Sequence, residues 1–339
     1  MNTPSATPRA PRPDGRVLVF GSVNQDLVLA CRHLPTAGET VAARDPLHLP
    51  GGKGGNQAFA AARAGARVSL IAAVGDDAAA DIALSGLAAA GCDISGVIRT
   101  HRPTGLAIVA VGPRRAGDDR TDNQIIVSPG ANDDLDDAAV ADALLANAVL
   151  VTQNETPAAS IGRLHARAAA SGTVVVHNAA PARGADELPL APITHLVVNE
   201  TEWAAFAGAT LDPDAPDATL AAAIRSGRSA AGLRPDQLVV MTLGAAGALV
   251  ADAAGLIRQP SAPVPVVDST GAGDAFVGAY AAALARGAEA ARALAEGVSA
   301  GGLACAALGA RAATPDAAAI RRAAAALPAA RRIPLAPIS

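Results

Sequence analysis

Short runs of β-branched and other apolar residues recur along the chain, at Val17–Phe20, Val68–Ala73, Ala148–Val151, Val174–His177, His195–Val198, Leu238–Thr242 and Ala248–Ala251. They are almost wholly apolar, the pattern of strands covered on both faces. Between several of them lie Ala-rich stretches of helical length, Gln57–Ala64, Ala78–Ala90 and Ala158–Ser171, interrupted by charged residues at helical intervals. Strand, helix and strand in alternation predict βαβ units and an α/β fold built on a buried, mainly parallel sheet.

Two segments break the alternation. Residues 27–50 and 100–131 hold the runs Leu27–Ala30, Glu39–Ala42, Gly105–Val111 and Asn123–Val127 with no helix between them. Their apolar and polar residues alternate, which predicts half-buried antiparallel strands forming a small sheet that projects from the main body. The apolar face of such a sheet needs a cover, so a lid over a cleft and dimerisation through it are expected. Pro113–Asp122, rich in Arg and Asp, reads as a solvated hairpin tip.

The organisation expected is a disordered tail over 1–15, a single domain over 16–330 and a C-terminal tail over 331–339. The first segment is rich in Pro, Ala, Thr and Arg and lacks the apolar core of a secretory signal. The longest uncharged apolar run, Leu238–Ala251, has 14 residues and is too short to span a bilayer. A soluble cytoplasmic protein is expected.

Composition narrows the partners. Aromatics make up 2% of the 339 residues, too few for the stacking platforms of single-stranded nucleic acid binding. A net charge of −4 with no basic run argues against nucleic acid and an anionic membrane surface. Cys31, Cys92 and Cys305 are far apart and odd in number, and read as free thiols.

Candidate chemistry centres on Gly271-Ala272-Gly273-Asp274, which precedes a helical stretch over Ala275–Arg286. A glycine-rich turn opening a helix presents free N–H groups at the positive end of the dipole and suits an anion, phosphate above all. A carboxylate placed there would repel phosphate unless Asp274 accepts the proton of a hydroxyl that attacks phosphorus. The bland alternative is an acidic residue stabilising the first helical turn.

Other polar groups gather at strand ends. Asn24 and Asp26 follow the first strand, Asn154-Glu155 and Asn178 follow two later ones, and Asn199 and Glu202 follow a fourth. Ligands bind at that edge of open α/β sheets, although each residue singly could be a helix cap. The only lysine, Lys53, lies in Gly51-Gly52-Lys53-Gly54-Gly55-Asn56-Gln57-Ala58. Glycines permit close backbone approach to a ligand, and a compact ammonium fits where a guanidinium fork does not. Gly54 after the lysine excludes a Walker P-loop.

These stretches resemble the ribokinase subgroup of the PfkB family of carbohydrate kinases, from about Val17 to Pro315. Gly51–Ala58 is similar to that family's N-terminal signature and Asp268–Phe276 to its C-terminal one. The resemblance implies a three-layer sandwich with a mainly parallel central sheet flanked by helices, plus a small β-sheet lid. It further implies a homodimer through the lids and ATP-dependent phosphorylation of D-ribose at the 5-hydroxyl. Ribose would be held by Asn24, Asp26, Gly52, Lys53, Gly54, Gly55, Asn56 and Glu155, with Asp274 as base and Gly271, Ala272 and Gly273 as the anion hole. ATP would lie along Asn199, Glu202, Thr242, Leu243, Gly244, Ala245, Ala246, Gly247, Gly273 and Val298, with Glu202 in the motif linked to Mg2+ and phosphate. A potassium ion would sit among Asp268, Thr270, Ala304, Ala307, Gly309 and Ala313. Val298 and Val277 stand where the subgroup often has polar residues.

Other readings stay open at this point. The acceptor could be deoxyribose, another pentose or a nucleoside. A non-catalytic sugar sensor would have no need of a base. An NAD-dependent oxidoreductase would take Gly271-Ala-Gly as a dinucleotide fingerprint, but the full GxGxxG is lacking.

Overall fold

The computed structural model describes residues 15–114, 121–184, 187–208, 210–253 and 255–334. Strand β1 (Arg16–Phe20) enters the centre of a sheet, and β2 (Asn24–Ala30) and β3 (Leu47–Gly51) leave it as an antiparallel pair. Helix α1 (Lys53–Arg63) leads to β4 (Arg67–Gly75), α2 (Ala78–Leu84) and β5 (Cys92–Thr100), after which β6 (Gly105–Arg114) and β7 (Thr121–Ser128) project again. Regular alternation then resumes with α3 (Asp142–Leu145), β8 (Ala148–Gln153), α4 (Ala158–Ala170), β9 (Val174–Asn178) and β10 (His195–Val198). Next come α5 (Glu200–Ala207), α6 (Asp217–Ala230), β11 (Leu238–Thr242), β12 (Ala248–Ala251) and β13 (Gly255–Gln259). Helices α7 (Ala272–Ala285), α8 (Ala290–Ala304) and α9 (Ala317–Ala326) and strand β14 (Arg331–Pro334) complete the described chain.

Among the described residues the main sheet runs β14-β13-β12-β11-β10-β9-β8-β1-β4-β5. The strands from β11 to β5 are parallel, and β12, β13 and β14 add an antiparallel margin. Alternate residues of one strand feed two cores, as pleating requires. Val17 and Val19 join one with α1, α7 and α8, while Leu18 and Phe20 join the other with α4, α5 and α6. This is the three-layer arrangement expected, with helices covering both faces.

The second sheet has the order β3-β2-β6-β7. Its strands were expected to be antiparallel throughout, yet β2 and β6 pair in parallel. The reason is topological: β6 is reached only after β4 and β5, so it leaves the main sheet in the same direction as β2. Ile125, Ile126 and Val127 on β7 remain 56%, 69% and 48% exposed, an apolar strip with no cover within one chain.

Three other expectations change. Glu39–Ala42, expected as a strand of the small sheet, forms none, and Leu47–Gly51 pairs with β2 instead. Helix α2 stops at Leu84 and not at Ala90, because Ser85 turns extended and Gly86 takes a φ of +77°. Arg331–Pro334, expected in a C-terminal tail, forms an edge strand on β13, with Ile333 packed against the second core. Such a short run carries no periodicity to read. The tail expected over 1–15 lies outside the described residues except for Gly15, as do positions 115–120 of the hairpin tip. Among the described residues no helix is long and apolar enough to cross a membrane.

Candidate active site

Close packing at the start of α1 explains its glycines. Gly52 holds a φ of +80°, and a Cβ there would strike the backbone of Val23 and Asn24 at 2.7 Å. A Cβ on Gly54 would meet the Gly21 carbonyl carbon at 2.5 Å, and one on Gly55 would meet an Arg311 guanidinium nitrogen at 2.5 Å. On Gly51 it would enter the Asp26 carboxylate. The glycine run therefore lets the β3–α1 junction press onto the chain leaving β1, bringing Lys53 beside the strand ends.

Helix α7 begins at Gly271, in left-handed conformation with φ +76°, and no side chain caps it. The Ala272 N–H donates to the Ser269 carbonyl at 3.2 Å, which leaves the following first-turn N–H groups to an anion. Asp274, in that turn, is 8% exposed. Asn56 Nδ2 donates to its Oδ2 at 3.0 Å and Gln57 Nε2 to its Oδ1 at 2.9 Å. Burial pushes the Asp274 carboxyl above its usual range, opposed by Lys53 and by these two amides. Burial also works against the Lys53 charge, but Asp274, Glu155, Glu202 and Asp26 together hold its pKa above the usual value.

One cavity collects residues that are remote in sequence: Lys53, Asn178, Asn199, Glu202, Thr242, Gly271, Gly273 and Asp274. Each sits at the C-terminal edge of a parallel strand or the N-terminal end of a helix, where α/β folds hold ligands. Asn199 and Glu202 also form a reciprocal capping box on α5, at 2.8 Å in both directions, so the bland cap reading is true of them as well. Burial raises the Glu202 carboxyl, against the Asn199 N–H and Lys53. Thr242 reaches the cavity wall, and Leu243, Gly244, Ala245, Ala246 and Gly247 continue from it as the turn into β12. Val298 is buried within α8 in the first core.

The expected sugar residues adjoin this cavity. Glu155 Oε2 accepts from the Lys53 backbone at 3.0 Å and from the Ser22 hydroxyl. Asn24 Oδ1 accepts from Asn132 Nδ2 at 2.7 Å. Burial, with Glu155 close by, pushes the Asp26 carboxyl up to about 7, and Arg311 opposes the shift. Asn154, a strand-end polar residue, is spent on structure: its Nδ2 donates to the Pro181 carbonyl at 2.9 Å.

Beside the α7 turn, Asp268 ties two loops together. Its Oδ1 accepts from the Thr270 N–H at 2.9 Å and hydroxyl at 2.7 Å, and its Oδ2 accepts from the Gly309 N–H at 2.8 Å. The loop after Ala304 lies so close that a Cβ on Gly271 would meet Ala310 Cα at 2.5 Å. Ala307, Gly309 and Ala313 lie on this loop, and the Cys305 carbonyl at its start accepts from the Val267 N–H at 2.8 Å and the Asp268 N–H at 3.3 Å.

Sequence reasoning missed Gln57 and Arg311 as site residues. Gln57 joins Asp274, Asn178 and Gln153 in one amide chain, and its place next to Asn56 in the glycine motif was the available signal. Arg311 gave only the hint of a single charge inside an Ala-rich loop.

A family model described as pfkB family carbohydrate kinase matches residues 14–317. A ribokinase of Bacillus subtilis is 34% identical over 278 residues, covering 80% of this chain and 86% of the relative. A deoxyribokinase of Salmonella typhi is 31% identical over 272 residues, covering 78% and 84%. The solved structure of Arabidopsis thaliana ribokinase complexed with ribose and ATP matches with a TM-score of 0.78 at 26% identity, covering 92% of this chain and 98% of that one.

The packing separates two glycines. Gly54→Ala sets a methyl against backbone that cannot rotate away, so chemical denaturation should show a loss of about 1–3 kcal/mol. A Cβ on Gly273 meets nothing within 4 Å. Gly273→Ala, inside a helix, should keep parental stability or gain up to about 1 kcal/mol. Equal losses in the two variants would contradict this account of the junction.

Proposed function

The chain belongs to the pfkB family of carbohydrate kinases, and on that premise we propose that it transfers the γ-phosphoryl group of ATP to the 5-hydroxyl of D-ribose, giving ribose 5-phosphate and ADP. The observation that carries this reading is the Asp274 carboxylate, buried in the first turn of α7 on the same cavity wall as Lys53, Asn199 and Thr242. The ribokinase relatives and the solved ribose and ATP complex support the choice of substrates. The deoxyribokinase relative favours deoxyribose as the second candidate acceptor.

In this reading Asn24, Asp26, Asn56 and Glu155 grip the sugar hydroxyls, and Lys53 neutralises part of the carboxylate cluster. Asp274 takes the proton as the acceptor oxygen forms its bond to phosphorus and the bond to the ADP oxygen breaks. The N–H groups of the 271–274 turn hold the charge on the transferred group. Among the described residues no three His, Cys, Asp or Glu side chains converge on a metal position. Mg2+ would therefore be held chiefly through nucleotide phosphates, with Glu202 near, and would supply charge neutralisation. Potassium at Asp268 would supply fixed positive charge beside the turn. The exposed strip of β7 supports pairing of two copies through their lids.

Four measurements test these assignments. Asp274→Asn should fold and bind ribose but lose ribose-dependent ADP release by about 10³-fold; near-parental turnover removes Asp274 as base. Activity needs the ionised carboxylate, so in the parent kcat/KM should fall as pH drops through a pKa above the usual range. Replacing potassium by sodium should lower kcat several-fold, and identical rates would dismiss the cation assignment. In analytical ultracentrifugation Ile126→Asp should shift dimer to monomer, whereas a parent that is already monomeric at micromolar concentration contradicts pairing through the lid.

A further inference from the structure

The loop after α8 buries the guanidinium of Arg311, a residue 7% exposed. Its Nε donates to Asn56 Oδ1 at 2.9 Å, its Nη1 to the Ala83 and Ser85 carbonyls at 3.1 Å each, and its Nη2 to the Gly51 carbonyl at 3.1 Å. The same group lies 5.9 Å from the Phe59 ring centre, and it fills the space that a Cβ on Gly55 would need. The cation is thus clamped between the β3–α1 junction and the end of α2.

The Nε–H can only donate. Whatever it meets on Asn56 must be the carbonyl oxygen, so the amide nitrogen must face the other way, toward Asp274 Oδ2. A flipped Asn56 would set donor against donor on one side and carbonyl against carboxylate on the other. Gln57, the second donor to Asp274, is held by amides instead: its Oε1 accepts from Gln153 Nε2 at 2.8 Å, and its Nε2 also donates to Oδ1 of Asn178, whose Nδ2 reaches the Val197 carbonyl at 3.4 Å.

We propose that Arg311 is a positioning residue for phosphoryl transfer, fixing the Asn56 amide so that its Nδ2 always donates to Asp274. The proposal rests on the reading of Asp274 as the base. Loss of that donor leaves Asp274 beside Asp26, Glu155 and Glu202 with Lys53 as the facing cation, which disfavours the ionised form.

Two substitutions isolate the Nε–H. Glutamine places an amide N–H as many bonds from Cα as Nε, while methionine places a methyl there. Both lose the Nη contacts to Gly51, Ala83 and Ser85. Arg311→Met should lower kcat about tenfold or more, with KM for ATP within about twofold, and move the acid limb of kcat/KM up by about one pH unit. Arg311→Gln, whose amide can offer either its N–H or its oxygen to Asn56, should move the acid limb by less than Arg311→Met despite a similar fall in thermal midpoint. Coincident pH profiles for the two variants, or a parental profile in Arg311→Met, overturn the proposal. If Arg311→Met fails to fold, Arg311→Lys keeps the cation with a methylene at the Nε position and carries the same expectation. A parent without sugar-dependent ADP release refutes the kinase reading alone. The carboxyl-carbon NMR titration of Asp274 then decides: a larger upward move in the methionine variant than in the glutamine one supports Arg311, and equal titrations overturn it.

Discussion

A carboxylate buried among other carboxylates, which the proposed mechanism needs in its ionised form, is the constraint around which the site is arranged. Asp274 shares its surroundings with Asp26, Glu155 and Glu202, and burial alone would favour its neutral form. Two amide donors and the one lysine of the chain oppose that tendency. All three come from consecutive turns of α1, the helix that the glycine run brings against the end of β1. Remove the glycines and the helix cannot approach. Remove the amides and the carboxylate loses the partners that favour its charge.

The same helix connects the two sheets. Strand β3 of the small sheet ends at Gly51, and α1 begins two residues later. Any movement of the lid would therefore be felt at Lys53 and Asn56, which is the coupling a closing kinase needs to complete its site only when the sugar is seated. Arg311 sits at this junction from the other side, bonded to the Gly51 carbonyl and to Asn56. The loop that carries it also meets Asp268 through Gly309, so the turn at α7, the loop after α8 and the β3–α1 junction form one continuous set of contacts.

Much of this was legible in the sequence where a signal is local. The apolar strand runs ended within two residues of the observed strands, because a doubly covered strand has no polar option along its length. The glycine–lysine motif and the Gly-Ala-Gly-Asp turn were each expected to open a helix, and each does so, at α1 and α7. What escaped is non-local. The parallel pairing of β2 with β6 depends on chain path, and strand β14 on a partner supplied by β13. Arg311 lies 255 residues from the asparagine it orients, in a loop whose Ala-rich composition says nothing about burial. Residues such as Asn199 and Glu202 show that a cap and a cavity wall are not exclusive, so an alternative framed as one or the other was too narrow.

The central claim is spatial: an alcohol oxygen and the buried carboxylate must meet beside the α7 turn. A crystal structure of the chain with D-ribose and a non-hydrolysable ATP analogue, grown in potassium and magnesium, tests it most directly. The account predicts the 5-hydroxyl oxygen at about 2.6–3.2 Å from an Asp274 carboxylate oxygen, with the γ-phosphate facing the N–H groups of 271–274. A fully bound complex with that hydroxyl directed away from Asp274 would contradict it.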